Sequence, residues 1–238
     1  MPTSAGRLTR VQRELLTRWR RLLAAHWVAL LTASLCLALV FSKVAKEVLE
    51  GQPNEIDARI RPWVLAHRTG FGNHFFAGLT LLGSTVATLI LVPAIALYLW
   101  RRKGHVVAAV FISAPAAAIS LLLAIRQLVA RPRPPGATGI VSNPSFPGGH
   151  MIVATSLWVT LMYLLWRERL LPLLPALVVA AGWPLLVGIS RVYLDVHWPS
   201  DVVAGWLLGM SLALAAAAIY ERWRVKGGSS AAARPGVR

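Results

Sequence analysis

At 238 residues, 56% of them hydrophobic and with a mean hydropathy of +0.60, the chain is too apolar for an ordinary water-soluble domain, whose apolar share lies near about 45–50%. A formal net charge of +16 would suit nucleic-acid binding, but the basic residues sit between and beyond long apolar runs. They read instead as membrane topology and contact with anionic lipid, with no nucleic acid as partner.

In chain order, residues 1–21 form a basic segment, which reads either as a helix along the inner membrane surface or as a tail without fixed structure. The first apolar run, 22–41, is longer than the core of a signal peptide, and no small-residue cleavage site follows it before Lys43. Cys36 lies inside this run and is the single cysteine, so no intrachain disulfide can form. A mixed connection, 42–74, contains an amphipathic stretch marked by Glu55, Ile56, Ile60, Trp63 and Val64. Further charge-free runs cover 75–100, 106–125, 151–166, 170–190 and 202–220. About 20 apolar residues cross a hydrocarbon core, and only 151–166 falls short. The expected fold is therefore all-α: a polytopic membrane protein with six transmembrane helices in one domain, 22–226. Residues 227–238 are small, polar and contain Gly and Pro, and are expected to be disordered.

Alternating sides puts both termini together. Their side collects 16 Lys/Arg against Glu14, Glu168 and Glu221, while the other collects 9 against 6 acids. The positive-inside rule then places both termini in the cytoplasm and the protein in the plasma membrane as a multi-pass chain. The strong polar signals from Arg126 to Asp201 fall at the outer ends of spans three to six, which predicts an extracytoplasmic active site there.

Three segments carry these signals. Arg126 ends an apolar span, where a bare charge is costly, and Pro132 and Pro134 break the helix so that Arg133 can turn back toward it. Converging guanidiniums suit a dianionic phosphate; an ordinary basic cap with a proline stop is the plainer reading. Next, Pro144-Ser145-Phe146-Pro147-Gly148-Gly149-His150 stands just before an apolar span. Backbone N–H groups at Gly148 and Gly149 could approach an anion at a helix N-terminus, beside a histidine able to hold a proton. A glycine turn with an incidental histidine fits equally. Last, Ser190-Arg191 is followed by His197 and Asp201. Asp201 could accept a hydrogen bond from one ring nitrogen of His197 and leave the other basic, or serve as a helix cap beside a structural histidine.

Taken together, the three resemble the signature of the type 2 phosphatidic acid phosphatase superfamily, which includes bacterial undecaprenyl-diphosphate phosphatases. Its pattern is Lys-x6-Arg-Pro, then Pro-Ser-Gly-His, then Ser-Arg-x5-His-x3-Asp. Order and spacing match across 126–201, and the third motif is complete. Two positions depart: Arg126 stands for the lysine, and Gly148 for a phosphate-binding serine, a loss on the order of 1–3 kcal/mol of hydrogen bonding to a charged group. The resemblance implies hydrolysis of a lipid phosphate or diphosphate without metal or cofactor. In that scheme His197 is the nucleophile, Asp201 its orienting carboxylate and His150 the general acid and base. Arg126, Arg133, Arg191, Gly148 and Gly149 would hold the phosphate, with Arg131 and Ser190 secondary. Undecaprenyl diphosphate leads the candidate substrates, ahead of phosphatidic acid and phosphatidylglycerol phosphate. A phosphotransferase of the same superfamily and a lipid-phosphate-binding relative with weak catalysis remain alternatives.

Overall fold

A computed structural model describes residues 10–51, 55–82, 85–135, 137 and 143–232, with backbone alone at 10–25, 81–82, 85–87, 89 and 227–232. The described residues form helices and connecting turns: α1 (Arg10–Leu49), α2 (Glu55–Ala66), α3 (Gly70–Leu82), α4 (Thr85–Lys103), α5 (His105–Leu128), α6 (Gly149–Arg167), α7 (Leu173–Tyr193) and α8 (Pro199–Ala232). Helices suit this composition because every backbone polar group is satisfied within its own segment, which a hydrocarbon medium demands.

Five helical segments among the described residues are long and apolar enough to span a membrane: His26–Leu49, His105–Leu128, Gly149–Arg167, Leu173–Tyr193 and Pro199–Lys226. The run 75–100, expected as one span, is divided between α3 and α4 on either side of residues 83–84, which lie outside the described residues. At both ends the helices run past the limits of the apolar runs. From Arg10 onward the basic N-terminal segment is helical and continuous with the first span. The last helix runs on to Ala232, so 227–232 are not irregular. Neither stretch contains a proline, and both extend a helix already nucleated, which costs far less than starting one. Residues 1–9 and 233–238, the ends of the two terminal segments, lie outside the described residues.

The core joins α4 to α8, with Leu99, Phe111, Ile152, Leu164 and Tyr220 fully buried. Leu123 on α5, Leu174 and Val178 on α7 and Ile219 on α8 point outward instead, as residues facing lipid should. Where α6 and α8 meet, glycines allow backbone contact: a Cβ on Gly205 would lie 2.7 Å from the Gly148 carbonyl, and one on Gly209 2.7 Å from that of Ile152. This small-residue spacing is how apolar helices approach closely without a hydrophobic drive between them. α1 is held to α8 by reciprocal bonds, Ser34 Oγ to the Ser211 carbonyl at 2.7 Å and Ser211 Oγ to that of Ser34 at 2.9 Å.

The two ends of the bundle differ in chemistry. At one end Glu221, fully buried, receives Arg167 on both oxygens and the Tyr163 hydroxyl at 2.9 Å. Beside it Glu168 receives the Tyr220 hydroxyl and pairs with Lys103. This closed network locks α4, α6 and α8 together. The other end gathers the C-termini of α5 and α7 with the N-termini of α6 and α8, and there the remaining polar residues collect.

Candidate active site

The segment after α5 turns because prolines at 132 and 134 cannot continue a helix, and three contacts hold it. The Ser145 N–H donates to the Arg131 carbonyl at 2.9 Å, while the Ser145 hydroxyl (3.1 Å) and the Trp198 indole N–H (3.0 Å) both donate to the Pro132 carbonyl. Phe146, fully buried and stacked on Phe41, anchors the approach to α6. α6 and α8 therefore begin side by side.

Arg133 extends into the space between them. Its guanidinium donates to the Val196 carbonyl at 2.6 Å and stands 3.4 Å from His197 Nε2. Arg126 lies against the start of α6: a Cβ on Gly149 would meet its guanidinium at 3.0 Å. That close approach is what glycine permits here. Arg191, buried at the end of α7, and Arg126 each keep a buried Nε without a hydrogen-bond partner. Both histidines belong to this cluster, since His150 lies within electrostatic reach of Arg191, His197, Arg126 and Arg133. Three guanidiniums and two imidazoles thus converge, faced by the Asp201 carboxylate, which acts on Arg126, Arg133 and His197. A buried excess of positive charge is costly, and a bound dianion would relieve it.

His197 is 2% exposed. Burial pushes its imidazole below the ordinary range, an effect that the Asp201 carboxylate opposes. Burial likewise lowers the Arg133 guanidinium, again opposed by Asp201; it remains a cation.

Two expectations require correction. Asp201 Oδ2 stands 3.6 Å from His197 Nδ1, an ion-pair distance but too long for a hydrogen bond, and Nδ1 has no partner. The carboxylate is held elsewhere: Oδ2 accepts the Trp198 N–H at 3.0 Å and Oδ1 the Arg131 guanidinium at 2.6 Å. The Gly148 N–H is not free for an anion either, because it donates to the Asp201 carbonyl at 3.0 Å. The N–H groups of Gly149 and His150, in the first turn of α6, have no intrahelical acceptor and fit that task better. Ser190 donates its hydroxyl to the Val187 carbonyl at 2.7 Å and contacts Thr80 of α3, so it ties helices together.

Sequence reasoning missed Asp57 and Arg61 on α2. Asp57, 7% exposed, accepts Arg131 at 2.7 Å and both the N–H (2.8 Å) and hydroxyl (2.7 Å) of Ser200. Arg61 grips Asp195 with two hydrogen bonds at 2.8 and 2.9 Å. The amphipathic pattern located the helix, but nothing in one sequence names partners 143 residues away.

Beside the charged cluster lies an apolar cleft of about 590 Å³ among α2, α7 and α8, lined by Trp63, Met151, Gly188, Val192, Val202 and Trp206. Met151 follows His150 and Val192 follows Arg191, so the cleft wall is built from chain neighbours of the charged cluster. Leu185 and Val192, both on its wall, are seven residues apart, which takes the cleft about 10 Å along α7.

The profile of the PAP2 superfamily matches residues 27–224. The chain is 27% identical over 184 residues to phosphatidylglycerophosphatase B of Bacillus subtilis, covering 74% of this chain and 89% of that protein. It is 43% identical over 65 residues to an undecaprenyl-diphosphatase of Sulfolobus acidocaldarius, covering 27% and 28%. Among solved structures, it resembles a transmembrane PAP2-type phosphatidylglycerolphosphate phosphatase from Bacillus subtilis with a TM-score of 0.67 at 27% identity, over 83% of this chain and 96% of that one.

Proposed function

The chain belongs to the PAP2 superfamily, a group of phosphatases, and on that basis we propose that it hydrolyses a lipid phosphate or lipid diphosphate through a phosphohistidine, without a metal. The observation that carries this reading is the convergence of His150, His197, Arg126, Arg133 and Arg191, with an apolar cleft walled by their chain neighbours Met151 and Val192. The cations match a phosphate, and the cleft matches the lipid still attached to it.

In this scheme the neutral Nε2 of His197 attacks phosphorus, because Nδ1 faces Asp201. An N–P bond forms as the bond to the leaving oxygen breaks, and His150 gives that oxygen a proton. Asp201 favours the cationic phosphohistidine. His150 then takes a proton from water, which attacks phosphorus; the N–P bond breaks and inorganic phosphate departs. Arg126, Arg133 and Arg191 neutralise the equatorial oxygens throughout, the work a metal would otherwise do. In this proposal α3 and α4 together make the second of six spans, both termini lie in the cytoplasm, as the charge asymmetry favours, and the site faces outward.

Purified protein assayed side by side with undecaprenyl diphosphate, phosphatidic acid and phosphatidylglycerol phosphate, with excess chelator present, tests the proposal. Phosphate release is expected with at least one of them, and His197→Ala should lose about three orders of magnitude or more. Loss of turnover on chelation would contradict metal independence. Undiminished activity in His197→Ala would remove the nucleophile assignment.

A further inference from the structure

Arg131 stands outside the spacing of the three motifs, and so does Asp57. Yet both are built into the support of the reactive histidine. The Arg131 guanidinium lies between two buried carboxylates, 2.6 Å from Asp201 Oδ1 and 2.7 Å from Asp57 Oδ2, and also donates to the Ser200 hydroxyl at 2.8 Å. Asp57 in turn fixes Ser200, the neighbour of Asp201, by backbone and side chain. A chain of contacts runs from α2 to the nucleophile: Asp57, Arg131, Asp201, His197.

The charge balance of this chain has a consequence. A guanidinium paired with one carboxylate cancels it, and Asp201 would then do little for a cation on His197. Shared between two carboxylates, the same guanidinium leaves the trio with one net negative charge. That charge matters because the other groups facing His197 are of opposite effect or neutral: Arg191 from α7, Arg133 from the segment after α5, and His150 from α6. Asp201 on α8 is the carboxylate that opposes them at His197.

We propose that Asp57 is a positioning residue, which by sharing Arg131 with Asp201 keeps the Asp201 carboxylate effective toward His197. The inference rests on His197 as the nucleophile for its catalytic meaning, but its electrostatic content stands independently of turnover. It also gives α2 a role beyond lining the cleft: the helix whose Trp63 walls the apolar space carries the counter-charge of the reactive centre.

The full chain, labelled with ¹⁵N-histidine in detergent, allows His197 to be titrated directly, its signal assigned by its loss in His197→Ala. Asp57→Asn keeps an acceptor for the Ser200 N–H while removing the charge, and should lower the His197 midpoint by about half a pH unit. Arg131→Gln removes the opposing cation and should raise it. The acidic limb of kcat/KM should move in the same two directions. An unmoved or raised midpoint in folded Asp57→Asn, even with a lower melting temperature, would mark a merely structural contact and overturn the proposal. Should His197→Ala keep full turnover while both midpoints shift as expected, the functional reading fails and this electrostatic one stands.

Discussion

In the proposed reaction His197 must be neutral at Nε2 to attack phosphorus, and its burial favours that form. A base whose midpoint is depressed by burial releases its proton at lower pH than the ordinary value of about 6.5. The neutral form therefore persists as pH falls through 6.5 and is lost only below the depressed midpoint. The acidic limb of kcat/KM is expected below pH 6.5, and a limb at or above pH 7 that disappears in His197 variants would contradict the assignment. Gly148 poses a second residue-scale question, since its relatives by motif carry serine. A Cβ here would lie 2.9 Å from the Asp201 carbonyl, which is backbone and cannot swing away. Gly148→Ser should thus destabilise the protein by about 1–3 kcal/mol without raising turnover; thermal unfolding in detergent and phosphate release together check it. A serine variant that is both as stable and faster would show that the backbone yields more readily than this geometry allows.

Single residues matter here because two helices present them. α6 starts at Gly149 and carries His150; α8 starts at Pro199 and carries Asp201. Their relative position is set by the glycine contacts below the site, where Gly205 and Gly209 let α8 approach the α6 backbone. Gly209→Val places a branched side chain where even a Cβ is 2.7 Å from the Ile152 carbonyl. Overpacking of this kind costs about 1–3 kcal/mol, and the separation it forces displaces His150 relative to Asp201. A lower melting temperature together with weakened phosphate release is expected, although Gly209 lies about two turns along α8 from Asp201. Wild-type values of both would mean that the helix contact does not set the site.

The whole molecule is asymmetric along its axis. One end is closed by Arg167, Glu221, Tyr163, Lys103 and Glu168, whose charges largely satisfy one another. The other end holds arginines whose Nε atoms at 126 and 191 lack partners. The proposed orientation puts the satisfied end in the cytoplasm with the basic turns. A fluorescent protein fused to the C-terminus should then fluoresce in the cytoplasm. With Cys36 replaced by serine, a cysteine substituted for Arg59, which is well exposed on α2, should react with a membrane-impermeant maleimide added to intact cells. Labelling only after permeabilisation would invert the topology and remove outer-leaflet lipids as substrates.

By itself the amino-acid sequence determined the helical membrane class, the positions of five spans, the charge asymmetry and which segments carry the clustered polar residues. These depend on composition and spacing over at most about 25 neighbouring residues, where the length of an apolar run and the break made by a proline act locally. The helix limits at Arg10 and Ala232 are not written in local composition, because a growing helix is favoured by turns already formed rather than by the composition of the segment it enters. Only the tertiary structure decided which partner each polar group takes: Arg131 between Asp57 and Asp201, the Gly148 N–H on the Asp201 carbonyl, His197 at 3.6 Å from its carboxylate. Most buried donors and acceptors find a partner, but which one depends on how helices distant in sequence pack, and Asp57 meets Ser200 across 143 residues.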